Sequence, residues 1–458
     1  MGVDKLLRLL LLVYVVRILG ATEYGKFSFA SAFVSLFVIF PDLGLRPIVV
    51  REFAGGADKE EFGSIVSLKI LLGIGTLALV TLGSFFITPD PNIQKIILIL
   101  AISSIISSFT VIFYTFFQAF RRMEYWAWTD IIQGILMVVI GFLVIFNFPS
   151  IENLSYGYLA VSLLVLLFAL LIFYLKFFPL KIHWRRAIWR KFLAMSWPVA
   201  LVGISATLYS YIDSVMMGYL GMLEETGWYN AAIRISAVAI LPAVFLSRSF
   251  LPVLSKFFKE SGDKLQKAWN SQVGMVMLVA LPLMVGGIVL APQIIGFFYP
   301  PDFAPSILVF QILIVTTGIA SMCTPFYDVM IASNQQKRIF WVTFSGATVN
   351  IILNLILIPR YSLYGAATAT LITYFSNFLI YIIFIMKSTP IRPLQTRFLF
   401  TFILAAVSSS LMYMAIREPI LYNLNVFLSV FLGGLVYILA VLGLMIISKK
   451  LKIYELNW

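Results

Sequence analysis

The sequence predicts an all-α polytopic membrane protein of about fourteen transmembrane helices, in two six-helix lobes followed by two C-terminal helices. Three observations predict it: the composition, the recurrence of long apolar runs, and the distribution of positive charge. The 458-residue chain is 61% hydrophobic and 12% charged, and its mean hydropathy is +0.99. Soluble domains carry about 25% charged residues, so this composition excludes a soluble globular protein.

Apolar runs of about 20 residues, the length that crosses the hydrocarbon core, recur along the whole chain. The connections between them are short, and none is long enough to hold a soluble domain. The first run is short and contains Arg8 and Arg17, so we expect the first span to be truncated. The predicted spans lie at roughly 5–20, 24–45, 64–87, 95–118, 125–147, 155–176, 193–220, 228–255, 270–296, 304–331, 340–358, 363–386, 397–416 and 424–447.

Successive connections lie on alternate sides of the membrane, and one side carries most of the positive charge. Of the 33 Lys and Arg residues, 23 fall in the even-numbered connections, the span ends that border them and the C-terminal tail, and 5 fall in the odd-numbered connections and the span ends that border those. Short cytoplasmic loops of membrane proteins carry the excess of Lys and Arg. The bias therefore predicts a multi-pass protein of the cytoplasmic membrane with both termini in the cytoplasm.

The two halves of the chain form an internal repeat. RILGATEYGKFSFASA at 17–32 corresponds to GYLGMLEETGWYNAAI at 218–233. Six spans per unit predict parallel repeats, an arrangement that transporters use. Equivalent residues lie 201 or 202 positions apart and include the pairs Gly20 and Gly221, Gly25 and Gly227, Pro41 and Pro242, and Arg46 and Arg248. The predicted division is an N-terminal lobe at 1–178, a basic cytoplasmic linker at 179–192, a C-terminal lobe at 193–387, and two further spans with a basic tail at 388–458.

Several segments, in order, resemble one transporter family. They are RILGATEYGKFSFA, DLGL with Arg51 following, YSYIDSVMMGYLG, TGWYNAAIRI and FYPPDFAPSILVFQILI. The chain thereby resembles the Wzx-type polysaccharide flippases of the multidrug/oligosaccharidyl-lipid/polysaccharide exporter superfamily. The resemblance implies a V-shaped twelve-helix core like that of the multidrug exporters, alternating access and a cationic central cavity.

Four arginines are candidates for binding the anionic part of a substrate: Arg17, Arg46, Arg234 and Arg248. Charged residues within spans usually face the interior of a helix bundle. Arg234 and Arg248 lie 14 residues apart, about four helical turns, and so share a face of one continuous helix. The alternative is that the arginines extend their charges to the membrane surface.

Three aspartates are candidates for ion coupling or for pairing with these cations. Asp42 lies four residues before Arg46 and is expected to share its helix face. Asp213 is expected at the same depth as Arg234, either as a structural ion pair or as a functional one. Asp328 is expected near the membrane interface, and Lys69, early in its span, is expected to extend its ammonium group to the cytoplasmic surface.

Other chemistries find little support in the sequence. A single cysteine, Cys323, and a single histidine, His183, argue against a disulfide, a histidine zinc site and a Ser-His-Asp triad. The basic stretch KIHWRRAIWRKF at 181–192 favours contact with anionic lipid over nucleic acid. We expect no cofactor beyond a possible coupling ion, H⁺ or Na⁺, and we expect Cys323 to be buried in its span.

We therefore predict a flippase, not an enzyme, that moves a lipid-diphosphate-linked oligosaccharide for cell-surface polysaccharide biosynthesis. Arginine suits the diphosphate because it forms bidentate pairs with phosphate. The expected partners of the protein are the lipid-linked glycan, membrane lipids and glycan-assembly proteins. Two alternatives remain: a multidrug exporter of the same superfamily, or a membrane-embedded glycan polymerase or ligase, which would need an acid–base or metal site.

Overall fold

The computed structural model describes residues 2–56, 59–178, 181–393, 395–419 and 424–450. Within these ranges every regular element of secondary structure is a helix and none is a β-strand, so the predicted all-α class is confirmed. One short 3₁₀ turn spans Pro301–Phe303. The helices are α1 Gly2–Phe37, α2 Leu45–Ala54, α3 Lys59–Ile87, α4 Pro91–Ala119, α5 Met123–Asn147, α6 Ile151–Lys176, α7 Arg186–Tyr219, α8 Leu223–Ala239, α9 Leu241–Glu260, α10 Gly262–Phe298, α11 Ser306–Ala332, α12 Gln336–Ser388, α13 Thr396–Arg417 and α14 Val426–Lys450.

Eleven helical segments of the described chain are long and apolar enough to cross a membrane. The polytopic architecture is therefore confirmed. Two long helices each consist of two helices that meet at a residue with non-helical backbone angles. These residues are Gly20 in α1, with φ 77°, and Ser362 in α12, with φ 51°. Each lies near a predicted connection between two spans.

The chain folds into two compact units, unit 1 at residues 1–230 and unit 2 at residues 231–458. The predicted lobe boundaries at 178 and 193 stay a prediction. In unit 1 the core near the ends of α3, α4 and α6 is a cluster of stacked and edge-on rings, including Phe62, Phe116 and Phe173. In unit 2 Trp269 of α10 packs edge-on against Phe326 of α11.

Two predicted spans are interrupted at equivalent places in the repeat. The span expected at 24–45 ends as a helix at Phe37, and residues 38–44 form turns around Pro41 before α2 begins. The span expected at 228–255 lies within one apolar helical segment, Leu223–Glu260, which has a kink at Ile240, two residues before Pro242. Proline lacks the N–H that continues a helix and is tolerated in its first turn. The prediction of a continuous helix over 24–45 was wrong, whereas the segment at 228–255 crosses as one kinked helix.

Equivalent glycines in the repeated motifs share one backbone conformation or one packing role. Gly20 and Gly221 have φ of 77° and 79°, values that favour glycine. Gly25 and Gly227 lie where α1 and α8 cross within unit 1, and a Cβ at Gly25 would sit 1.7 Å from the Leu223 carbonyl oxygen. The reciprocal Cβ at Gly227 would sit 2.2 Å from the Ala21 oxygen. These glycines allow two backbones to approach closely, as small residues do between membrane helices.

Neighbouring helices hydrogen-bond the carbonyl groups that two prolines of α10 leave free. Pro282 cannot bond the carbonyl of Leu278, and Tyr437 of α14 donates its hydroxyl to that oxygen at 2.8 Å. Pro292 likewise frees the carbonyl of Ile288, which accepts a hydrogen bond from Gln311 Nε2 at 3.0 Å. An unsatisfied carbonyl costs several kcal/mol in hydrocarbon. The two side chains therefore stabilise the proline-containing form of α10 and join it to α11 and α14.

Candidate functional site

A buried lysine links three elements of unit 1. Lys69 Nζ lies 2.9 Å from Asp42 Oδ1 and donates a second hydrogen bond, also 2.9 Å long, to the Ser108 carbonyl oxygen. The Lys69 side chain is 1% exposed and that of Asp42 is 25% exposed. The expectation that Lys69 reaches the membrane surface was therefore wrong, because a carboxylate and a carbonyl within the unit hold its ammonium group.

The turn before α2 carries Asp42 and is fixed against α7. Gly44 has φ 71°, and a Cβ there would lie 2.8 Å from both the Ala200 nitrogen and the Val199 Cβ. Backbone packing thus sets the position of the turn. Because residues 38–44 are not helical, the expected helical pairing of Asp42 with Arg46 is wrong, and the Asp42 carboxylate bonds Lys69 instead.

Arg46, in the first turn of α2, lies over the aromatic ring of Trp126 in α5. Its guanidinium carbon lies 5.2 Å from the centroid of Trp126, which stacks in turn on Tyr114. The side chain is half-buried and makes no ion pair with a residue that the structure describes. The first turn of α2 contains no acidic residue. A guanidinium at this distance from an indole ring is attracted by the ring's π electrons, and its N–H groups are donors that suit a planar anion.

A buried carboxylate links three helices of unit 2. Asp328 of α11 is 2% exposed, so the expectation of an interfacial position was wrong. Ser247 of α9 donates its hydroxyl to Asp328 Oδ1 at 2.8 Å, and Gln272 of α10 donates to Asp328 Oδ2 at 2.6 Å. Sequence reasoning missed Ser247 and Gln272, since neutral polar residues in a span give no signal comparable to a charge.

The remaining predicted residues are one buried aspartate and three exposed arginines. Asp213 is buried, and Tyr229 donates its hydroxyl to Asp213 Oδ2 at 2.6 Å. Arg17, Arg234 and Arg248 are exposed. The helix containing Arg234 ends before that containing Arg248 begins, so a single straight helix no longer sets their spacing. The pairing of Asp213 with Arg234 stays a prediction.

Acidic residues of unit 1 hold the predicted linker in place through salt bridges. Arg185 pairs with Glu60 at 2.5 Å, and Lys191 pairs with Glu61 at 3.0 Å. Trp189 donates its indole N–H to the Ser64 carbonyl at 2.8 Å. A polar cleft of about 560 Å³ lies among these charges. Since its carboxylates are already paired, this cleft is a structural contact and not the candidate site.

Comparison with protein families decides the classification. The model described as polysaccharide biosynthesis protein matches residues 1–258, and the one described as MatE matches residues 198–356.

The chain belongs to the polysaccharide biosynthesis protein family. The resemblance predicted from the sequence motifs is confirmed. Among curated relatives, a probable low-salt glycan biosynthesis flippase of Haloferax volcanii is 23% identical over 81% of this chain and 78% of its own. A putative O-antigen transporter of Escherichia coli is 22% identical over 81% of this chain and 91% of its own.

A solved structure shares the fold over nearly the whole chain. The lipid II flippase MurJ, in an inward closed conformation, superposes with a TM-score of 0.81 at 18% identity, covering 98% of both chains. A multidrug resistance MATE transporter of the MOP superfamily, in an inward-facing conformation, superposes with a TM-score of 0.69 at 15% identity. At these identities the likeness establishes the fold of this family member.

Proposed function

We propose that this family member is a flippase that moves a lipid-diphosphate-linked oligosaccharide across the cytoplasmic membrane by alternating access. The observation that carries the proposal is the family match over residues 1–258, the part of the chain that contains the repeat motif, the broken second span and Arg46. The relatives named as a glycan flippase and an O-antigen transporter support the substrate class. The flippase fold over the full chain supports the mode of transport.

The chemistry of Arg46 suits the diphosphate part of such a substrate. Its guanidinium already contacts the Trp126 ring, so less side-chain entropy is lost when it binds an anion. The neighbouring acid, Asp42, is neutralised by Lys69 and does not compete for Arg46. Arg17 in unit 1 and Arg234 and Arg248 in unit 2 supply further exposed cations for the same class of anion.

The proposal treats the chain as a transporter and not as an enzyme, with both termini in the cytoplasm. The biased placement of Lys and Arg supports this orientation. The MatE match and the multidrug exporter fold favour one alternative, export of cationic compounds. A cationic compound would gain little from exposed arginines, since like charges repel.

Binding of a fluorescent polyprenyl-diphosphate oligosaccharide to the purified protein tests the proposal. Arg46→Lys keeps the charge but removes the planar fork, so we expect binding about tenfold weaker. Arg51→Lys is the matched control: Arg51 is exposed, pairs with Glu52 and should tolerate the change. A polyprenyl alcohol without diphosphate should not compete. Equal affinities for both variants, or competition by a cationic dye, would contradict the proposed site.

A further inference from the structure

Two prolines and a pair of glycines give α10 a sequence that bends easily. Pro282 and Pro292 lie inside this helix, and Gly286 and Gly287 lie between them. Proline interrupts the ladder of backbone hydrogen bonds, and glycine lowers the cost of leaving helical backbone angles. By chain order α3 is the counterpart of α10 in unit 1, and α3 contains no proline. The two repeats therefore differ in the flexibility of their third span.

The helix α14, which lies outside the repeat, contacts α10 at the proline break and at its C-terminal end. At the break, Tyr437 donates its hydroxyl to the Leu278 carbonyl oxygen, which Pro282 leaves free, at 2.8 Å. At the C-terminal end of α10 the rings of Phe297 and Phe427 meet edge-on, with 5.0 Å between their centroids. One apolar cluster joins α13 and α14 to residues of α10 on both sides of the break. The two helices outside the repeat therefore support α10 along its length.

A buried hydroxyl of α13 lies beside the same break. A Cβ at Gly274 would lie 3.7 Å from Thr401 Cγ2. A Cβ at Gly286 would lie 3.5 Å from Met412 Cε, so α10 and α13 run in the same direction. Ser408, two helical turns after Thr401, shares its helix face and reaches the level of the break in α10.

This hydroxyl has no use in the conformation that the structure shows. The Ser408 side chain is 0% exposed, and its Oγ makes no hydrogen bond with the part of the chain that the structure describes. Burying a hydroxyl without a hydrogen bond is unfavourable. Ser and Thr side chains of neighbouring helices commonly bond the backbone groups that a proline frees in a membrane helix. Ser408 is therefore a second donor for carbonyl groups of α10 at the break.

We propose that α10 is a hinge with two states, and that α13 and α14 determine which state is populated. In the first state, which the structure shows, Tyr437 bonds the carbonyl that Pro282 leaves free. In the second state α10 bends away from α14 at the proline, Tyr437 releases Leu278, and Ser408 becomes the donor to the carbonyls at the break. One donor serves the break in each state, so the two states differ little in hydrogen bonding. The two helices outside the repeat thereby regulate the conformation of unit 2.

The distance between two spin labels on the full chain measures the populations of the two states, independently of the proposed transport function. The labels are attached at Gly296→Cys in α10 and Leu428→Cys in α14, two exposed positions. Cys323→Ala first removes the native thiol. Because the rings of Phe297 and Phe427 are in contact beside these positions, the first state gives a short distance. Bending of α10 away from α14 adds a longer one.

Three substitutions at the break should change the ratio of the long-distance to the short-distance population. Tyr437→Phe removes the donor of the first state, so the ratio should rise about fivefold, the effect of one hydrogen bond. Adding Ser408→Ala should reverse that rise, because the second state then loses its donor. In a Pro282→Ala background Tyr437→Phe should change the ratio little, since position 282 then supplies an N–H to the Leu278 carbonyl.

Tyr413→Phe is the matched control in α13. The Tyr413 ring lies 5.1 Å from the Arg417 guanidinium carbon, away from the break, so this change should leave the ratio unchanged. A Tyr437→Phe protein with the wild-type ratio overturns the inference, whether or not Pro282→Ala folds. Equal rises with and without the proline, or a rise that Ser408→Ala does not reverse, overturn it as well.

Discussion

At the scale of single residues, a buried polar link joins Lys69, Asp42 and Ser108. Its energy depends on burial, because the same kinds of charges at the surface contribute only about 0–1 kcal/mol. Removing one partner of a buried pair leaves an uncompensated charge and costs about 3–5 kcal/mol. Asp42 is partly exposed, so we place this pair at the lower end of that range.

Lys69→Met should therefore lower the free energy of unfolding by about 3 kcal/mol, while Lys69→Met with Asp42→Asn should cost less than Lys69→Met alone. Thermal or denaturant unfolding of the purified protein measures both. Lys95→Met is the matched control: Lys95 forms an exposed pair with Glu152, and the loss of that pair should change the stability much less than Lys69→Met does. Additive losses for Lys69 and Asp42 would show that the two charges do not stabilise each other.

At the scale of helices, close backbone approach and proline breaks determine the shape of each unit. The α1–α8 crossing depends on glycines at both contact positions, and the divided spans depend on Pro41 and Pro242. The sequence motif TEYGKF with its counterpart ETGWYN therefore has a packing role. Sequence reasoning used these residues to find the repeat, but it could not show that the two motifs contact each other.

Gly25→Ala should destabilise the protein by about 1–3 kcal/mol, since its new methyl group would overlap the Leu223 carbonyl. Gly75→Ala tests the same exchange in α3, where nothing lies within 4 Å of the added Cβ. That control should be neutral or stabilising by up to about 1 kcal/mol, because alanine favours helix over glycine. Melting temperatures of the two variants measure the difference, and equal effects would refute the close contact.

At the scale of the whole molecule, the sequence predicts well the features that long apolar runs determine. The all-α class, the multi-pass architecture and the burial of Cys323 in α11 are confirmed. The side chains that bond the two aspartates could not be predicted in this way. Lys69, which bonds Asp42, lies 27 residues from it, and Gln272, which bonds Asp328, lies 56 residues from it on another helix. Helix periodicity reports only neighbours on one helix, so Asp42 was assigned to Arg46.

The predicted orientation gives an accessibility test in intact cells. Cys323 is buried, so the native chain should react poorly with an impermeant thiol reagent. Asp302→Cys, in the exposed 3₁₀ turn before α11, should label from outside, and Lys181→Cys should label only after lysis. Labelling of Asp302→Cys only after lysis would reverse the predicted sides.

Direct measurement of lipid movement tests the central claim, that this chain is a flippase for lipid-diphosphate oligosaccharides. The purified protein is reconstituted in liposomes with a polyprenyl-diphosphate oligosaccharide, and an impermeant glycosidase reports the fraction of headgroups on the outer face. We predict that wild-type protein exposes the whole substrate pool over time. Arg51→Lys should behave as the wild type, while Arg46→Lys should be slowed to near the rate of protein-free liposomes. Headgroup exposure by the wild type no faster than in protein-free liposomes would contradict the account.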